Sequence, residues 1–131
     1  MRQSERNKID SFELWYWRRL LRIPWTAKRT NVSILEEIKP AQSLESLIVK
    51  QKLSYFGHVM RKQSSLKKSI MLWMGEGERR QGRPCMRWKD DIKTVTGLTF
   101  SELVRAVENR DHWRQLITTI ARSRQGLDGT R

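Results

Sequence analysis

The stretch Leu44–Lys62 reads LESLIVKQKLSYFGHVMRK. On a helical wheel Leu44, Ile48, Tyr55 and Val59 form one face, and Val49, Leu53, Phe56 and Met60 form the adjoining one. Together they cover roughly half the circumference, the pattern of a helix that carries a core rather than one that skims a surface. Ser43 precedes it as the starting residue. Gly57 falls on the polar side, where it lowers helix propensity or permits a close approach. A central amphipathic helix of this length predicts an all-α fold, and the flanking sequence is read outward from it.

Toward the N-terminus, Met1 to Ile9 is polar and predicts a flexible segment. Asp10 followed by Glu13 has capping-box spacing. Phe12, Trp15 and Tyr16 then share one helical face, and Leu14, Trp17 and Leu21 another, so that helix needs to be sandwiched or to meet a partner. Arg18, Arg19 and Arg22 form its basic side, and Pro24 stops it. Trp25 to Asn31 is a short basic connection. Ser33 with Glu36 has capping-box spacing before a short helix ending at Pro40.

Toward the C-terminus, Leu66 to Met74 is a short apolar run whose length and period do not separate helix from strand, and its helical neighbours favour a short helix. From Gly75 to Pro84 come three glycines, one proline and five charged residues, which predict a loop. Gly costs helix stability, and Pro lacks the amide donor and pushes its predecessor toward extended geometry. Beyond the loop, Trp88, Ile92 and Val95 carry helical spacing up to Gly97. Thr99 with Glu102 makes another capping box, and Phe100, Leu103, Val104 and Val107 follow as one stripe. Asp111 is a candidate cap for a last helix bearing Trp113, Leu116, Ile117 and Ile120. The expected architecture is a small helical bundle in two parts, residues 10–74 and 87–121. A basic Gly/Arg/Pro loop at 75–86 joins them, after a flexible 1–9 and before a disordered tail at 122–131.

Charge narrows the function. Twenty-seven Lys or Arg against fourteen Asp or Glu leave a net charge of +13. Such a field draws in polyanions, nucleic acid first, with a strong dependence on salt. No apolar run is long enough to span a membrane. The polar first ten residues lack a signal core, so the expected location is intracellular, nucleus or cytoplasm, and not secreted. The single cysteine, Cys85, makes no internal disulfide and has no zinc-ligand spacing with His58 or His112. There is no phosphate-binding Gly-rich loop, nucleophile elbow or carboxylate cluster, so no enzyme activity, cofactor, metal or small-molecule substrate is expected. Asp90 and Asp91 are adjacent, point about 100° apart on a helix, and read as first-turn acids complementing the helix dipole.

Between Arg61 and Lys89 stand nine Lys or Arg and only two Glu. That single-sign block is the candidate phosphate-tracking surface. Arg79, Arg80, Arg83 and Arg87 lead it, with Lys67, Lys68 and Lys89 beside them and Arg18, Arg19 and Arg22 extending it. A solvated face that only keeps the chain soluble is the alternative. Trp88, with its Ile92 and Val95 period, reads as a core anchor rather than a base-stacking platform. Gly82-Arg83-Pro84 resembles an AT-hook, the minor-groove motif, although Cys85 and Met86 stand where a basic residue normally follows.

Longer stretches carry a second resemblance. Trp17 to Thr26 reads WRRLLRIPWT, Lys52 to Arg61 reads KLSYFGHVMR, and Gly82 to Ile92 reads GRPCMRWKDDI. With Arg110 to Ile117 and the closing SRQGLDGT, these resemble the C-terminal region of the endonuclease–reverse transcriptase of non-LTR (LINE-type) retrotransposons, in particular the RTE/Bov-B-like group. The similarity covers nearly the whole chain in the same order. It implies that the endonuclease and the polymerase, with its paired metal-binding aspartates, lie upstream of this chain. What it implies here is a non-catalytic segment that holds RNA template or target DNA. Two alternatives stand beside that: a helical module docking on the polymerase domain of the parent element, and a truncated copy with no selected role. Cys85 and Trp73 depart from the family pattern, which has a basic residue and a glycine there.

Overall fold

A computed structural model describes residues 3–62, 66–72 and 87–124. Among them every regular element is helical: α1 (Gln3–Leu20), α2 (Asn31–Ile38), α3 (Leu44–Arg61), α4 (Leu66–Leu72), α5 (Trp88–Thr96), α6 (Phe100–Glu108) and α7 (Arg110–Ser123), with a short 3-10 turn at Trp25–Ala27. The chain is all-α, as the period of its apolar residues predicts. None of the described helices is long and apolar enough to cross a membrane. The expected loop at 75–86 lies outside the described residues.

The chain divides into two compact units, residues 1–50 with 121–131, and residues 51–120. The division falls inside α3 and α7 rather than between residues 74 and 87. The reason is visible in the second unit, where residues that precede and follow that stretch in the sequence pack together. Phe56 of α3 meets Trp88 of α5 at 5.5 Å and Trp113 of α7 at 5.8 Å between ring centroids. Leu53, Phe56, Val59, Ile92, Leu103, Val107 and Trp113 are all buried to within 2%. Burying a side chain of that size contributes about 1.5–3 kcal/mol, so this unit is held by apolar packing.

Gly57 sits in this core, not on a polar face. The Trp113 indole lies over its backbone: a Cβ built there would come within 2.7 Å of Trp113 Cδ1. The missing side chain lets Trp113 Nε1 donate to the Leu53 carbonyl at 3.1 Å. A core tryptophan thereby satisfies its polar atom on the neighbouring helix.

The first unit rests on buried polar groups as much as on apolar ones. Glu13 is the buried residue of α1. Its Oε2 accepts from the Leu44 amide at 2.9 Å and caps α3 from another helix. Ser46 Oγ donates to the Ala121 carbonyl at 3.0 Å, and Ser43 Oγ accepts from the Ser46 amide at 3.2 Å. Glu45 Oε1 pairs with Arg6 at 2.7 Å and Arg124 at 3.4 Å. No buried side-chain nitrogen or oxygen among the described residues lacks a partner, which is what makes such a core tolerable.

Several caps differ from their sequence readings. Helix α1 already begins at Gln3, within the segment expected to be flexible, and Asp10 lies inside it. The Arg6–Glu45 pair and a Gln3–Asn7 side-chain bond at 3.0 Å support those first turns. Glu13 is consequently free of a capping-box role and is used on α3. Thr30, not Ser33, caps α2, accepting from the Ser33 amide at 3.2 Å. Asn109, not Asp111, caps α7, its Oδ1 accepting from the amides of Asp111 and His112 at 3.1 Å each. In α2 and α7 an earlier side chain reaches the free amides first. At its other end, α7 and its Glu45 contact hold the chain through Arg124, past the expected tail boundary at 122; residues 125–131 lie outside the described ones. The reciprocal capping box of Thr99 and Glu102 and the left-handed C-cap at Gly97 (φ 71) match their sequence signals.

Candidate nucleic-acid interface

Helix α1 ends in a Schellman-type turn. The Ile23 amide donates to the Arg18 carbonyl at 3.0 Å and the Arg22 amide to the Arg19 carbonyl at 3.1 Å, with Arg22 left-handed at φ 51. Pro24 then directs the chain into the Trp25–Ala27 turn, and Lys28 follows, also left-handed at φ 43. Two consecutive reversals bring the turn back alongside α1. Between them opens a groove of about 760 Å³, lined by Leu14, Trp15, Arg18, Trp25, Lys28 and Arg29 among others.

The groove combines flat aromatic surface with positive charge. Trp25 is 97% exposed and Trp15 54% exposed. Trp15 stacks on Phe12, with ring centroids 5.8 Å apart, and carries the Arg19 guanidinium at 5.8 Å from its ring centre. Arg18 and Arg29 are held in place. Arg18 donates to the Arg29 carbonyl at 3.0 Å and to Asn31 Oδ1 at 2.8 Å. Arg29 pairs with Glu37 at 2.6 Å. These bonds fix the groove's wall, while Lys28, exposed at the turn, has no hydrogen-bond or ion-pair partner among the described residues.

The sequence-selected residues fare differently. Arg79, Arg80 and Arg83, the AT-hook-like core and Cys85 lie outside the described residues. Arg87 is exposed at the N-cap of α5 and makes no side-chain cap. Lys67 is exposed on α4, whereas Lys68 turns back to donate to the Met60 carbonyl at 3.1 Å and the Lys62 carbonyl at 3.5 Å. Lys68 therefore serves the C-terminus of α3, where cations complement free carbonyls. Lys89 is half-buried. Arg19 and Arg22 are exposed, and Arg18 is committed to the wall described above. Arg18 and Arg19 lie at the groove in the first unit, and Lys67, Arg87 and Lys89 belong to the second. Trp88 is half-buried against Tyr55 and Phe56, in keeping with an anchor. Asp91 pairs with Lys52 at 3.0 Å.

Sequence reasoning passed over Trp25, Lys28 and Arg29 as a connection. Their signal was present: a tryptophan directly after a helix-stopping proline, off any apolar stripe and followed by two cations. Comparison with known proteins adds no relative: no family model, no curated protein and no solved structure matches this chain.

Proposed function

We propose that this chain is a non-catalytic nucleic-acid-binding segment, the C-terminal region of a retrotransposon reverse transcriptase-like protein. It acts inside the cell, holding a single-stranded stretch of RNA template or target DNA near a polymerase domain. The observation that carries the binding reading is the groove of the first unit, where an almost fully exposed Trp25 and a half-exposed Trp15 line one groove with Arg18, Lys28 and Arg29. Unpaired bases stack on exposed aromatic rings while nearby cations follow the backbone. The retrotransposon part rests on the ordered sequence resemblance.

Fluorescence anisotropy with a labelled single-stranded oligonucleotide tests this. Trp25→Ala should weaken binding by about 1–3 kcal/mol, the contribution of one stacked base. Lys28→Gln should lower the salt slope by about one unit. Binding that both variants leave unchanged would remove the groove from the interface.

A second reading has its own observation. Phe12, Trp15, Tyr16 and Leu20 of α1 are each about half exposed, from 49% to 60%. An aromatic face of that kind also suits a protein partner, here the polymerase domain of the parent element. Capture of that domain unaffected by salt, with no oligonucleotide binding, would favour docking.

A further inference from the structure

A separate cleft opens in the second unit between α3 and α7. It measures about 400 Å³ and is lined by His58 and Arg61 from α3, by Lys62 directly after it, and by Arg110, Trp113 and Arg114 from α7, with no carboxylate among its lining residues. Two helical spacings build it. His58 and Arg61 stand three apart on α3, and Arg110 and Arg114 stand four apart on α7, so each pair shares a face. The Trp113–Leu53 hydrogen bond and the bare backbone of Gly57 fix the two helices close together at its base.

The cations here are not neutralised by the fold. Arg61 donates to the Val107 carbonyl at 3.2 Å, which orients it without cancelling its charge. Arg110 is exposed. Arg114 pairs with Asp111 at 3.6 Å, with both side chains at least 75% exposed, a kind of pair worth little in water. Burial, then Arg110 and Arg114, hold the Arg61 pKa below its ordinary value. Gathering cations against one half-buried arginine costs free energy that a bound anion would offset.

We infer that this cleft seats a phosphate of a polynucleotide strand, held by Arg61, Arg110 and Arg114 with Lys62 and His58 at its rim. The inference rests on the nucleic-acid reading but uses residues outside the groove of the first unit. The shared chemistry is a phosphate oxyanion, which a nucleic-acid backbone or a free phosphate compound could supply.

The test follows the two histidine ring resonances by NMR in the full chain, titrated in parallel with a single-stranded oligonucleotide, a mononucleotide and inorganic phosphate. His112 lies elsewhere, beside Leu98 and Leu116, and serves as the internal reference. The expected result is a shift at His58 larger than at His112 with the oligonucleotide, and none with mononucleotide or phosphate at matched phosphate concentration. In anisotropy, the exposed pair Arg110→Gln/Arg114→Gln should lower the slope of log affinity against log salt by about one to two units. Arg110→Lys/Arg114→Lys should keep most of it. Oligonucleotide binding with His58 unmoved and the slope unchanged would overturn the cleft while leaving the nucleic-acid reading in place. Equal shifts with mononucleotide or phosphate would overturn the polynucleotide source. Failure of the wild-type chain to bind any oligonucleotide at low salt would overturn both readings together.

Discussion

At Gly57 two effects of opposite sign meet. Alanine in a helix interior is favoured over glycine by about 0.8–1.0 kcal/mol. Against that gain, the new methyl would lie 2.7 Å from Trp113 Cδ1, and overpacking a core costs typically about 1–3 kcal/mol. The obstructing atoms belong to a rigid ring that is only 2% exposed, so it cannot swing into solvent as a flexible chain end would. The steric term wins. Gly57→Ala is expected to be net destabilising in urea denaturation, despite its better helix propensity. An unchanged or raised midpoint would show that Trp113 does not close on Gly57 as described. From sequence, Gly57 and the helix around it were legible, but its partner was not: Trp113 lies 56 positions away, and no local period links them.

Caps decide where the helices begin, and they divide into local and tertiary kinds. Thr99 and Glu102 are local: Thr99 Oγ1 donates to Glu102 Oε2 at 2.7 Å and the Thr99 amide to the same oxygen at 2.8 Å. Those bonds, the side-chain one first, lower the Glu102 pKa from its ordinary value. A carboxylate with a depressed folded pKa contributes stability above the ordinary glutamate value, and the contribution is lost as pH falls through the folded value. Thr99→Ala should cost about 1 kcal/mol near neutrality. The difference in melting temperature between wild type and variant should shrink as pH falls through the depressed folded value of Glu102, where the carboxylate that Thr99 bonds becomes protonated. A gap independent of pH would detach the cap from the carboxylate. Glu13 is the tertiary kind. Its oxygen caps α3 from α1, so Glu13→Ala leaves the Leu44 amide without that acceptor and should cost about 1–3 kcal/mol. Glu13→Gln, whose amide oxygen can still accept, should recover much of the loss in the same thermal melt. If the two variants melt alike, the bond to Leu44 is not what Glu13 supplies. The capping-box spacing from Asp10 assigned Glu13 to the N-terminus of the wrong helix, because spacing carries no information about a partner 31 residues away.

For the whole molecule, a charge of +13 makes salt the controlling variable of any polyanion complex. With about six or more phosphate contacts, raising salt from about 50 to about 200 mM should weaken oligonucleotide binding by about a thousand-fold or more. A flat salt response in a binding chain would show that its contacts are not to phosphates. The sequence by itself determined the all-α class, the extent of α3, the Thr99–Glu102 box, the Gly97 stop and the total charge. All of these follow from side-chain period, short-range capping and composition, which act within one or two turns. Tertiary structure decided how the charges are used. Lys68 and Arg18 lie within the most basic sequence runs, yet both donate to backbone carbonyls, and Arg18 also to Asn31 Oδ1. Trp25, in a stretch with no period at all, stands almost wholly in solvent. Arg61 and Arg114, 53 positions apart, line one cleft. A cation's availability depends on which carbonyls and carboxylates fold up against it, and only the packed chain brings those within reach.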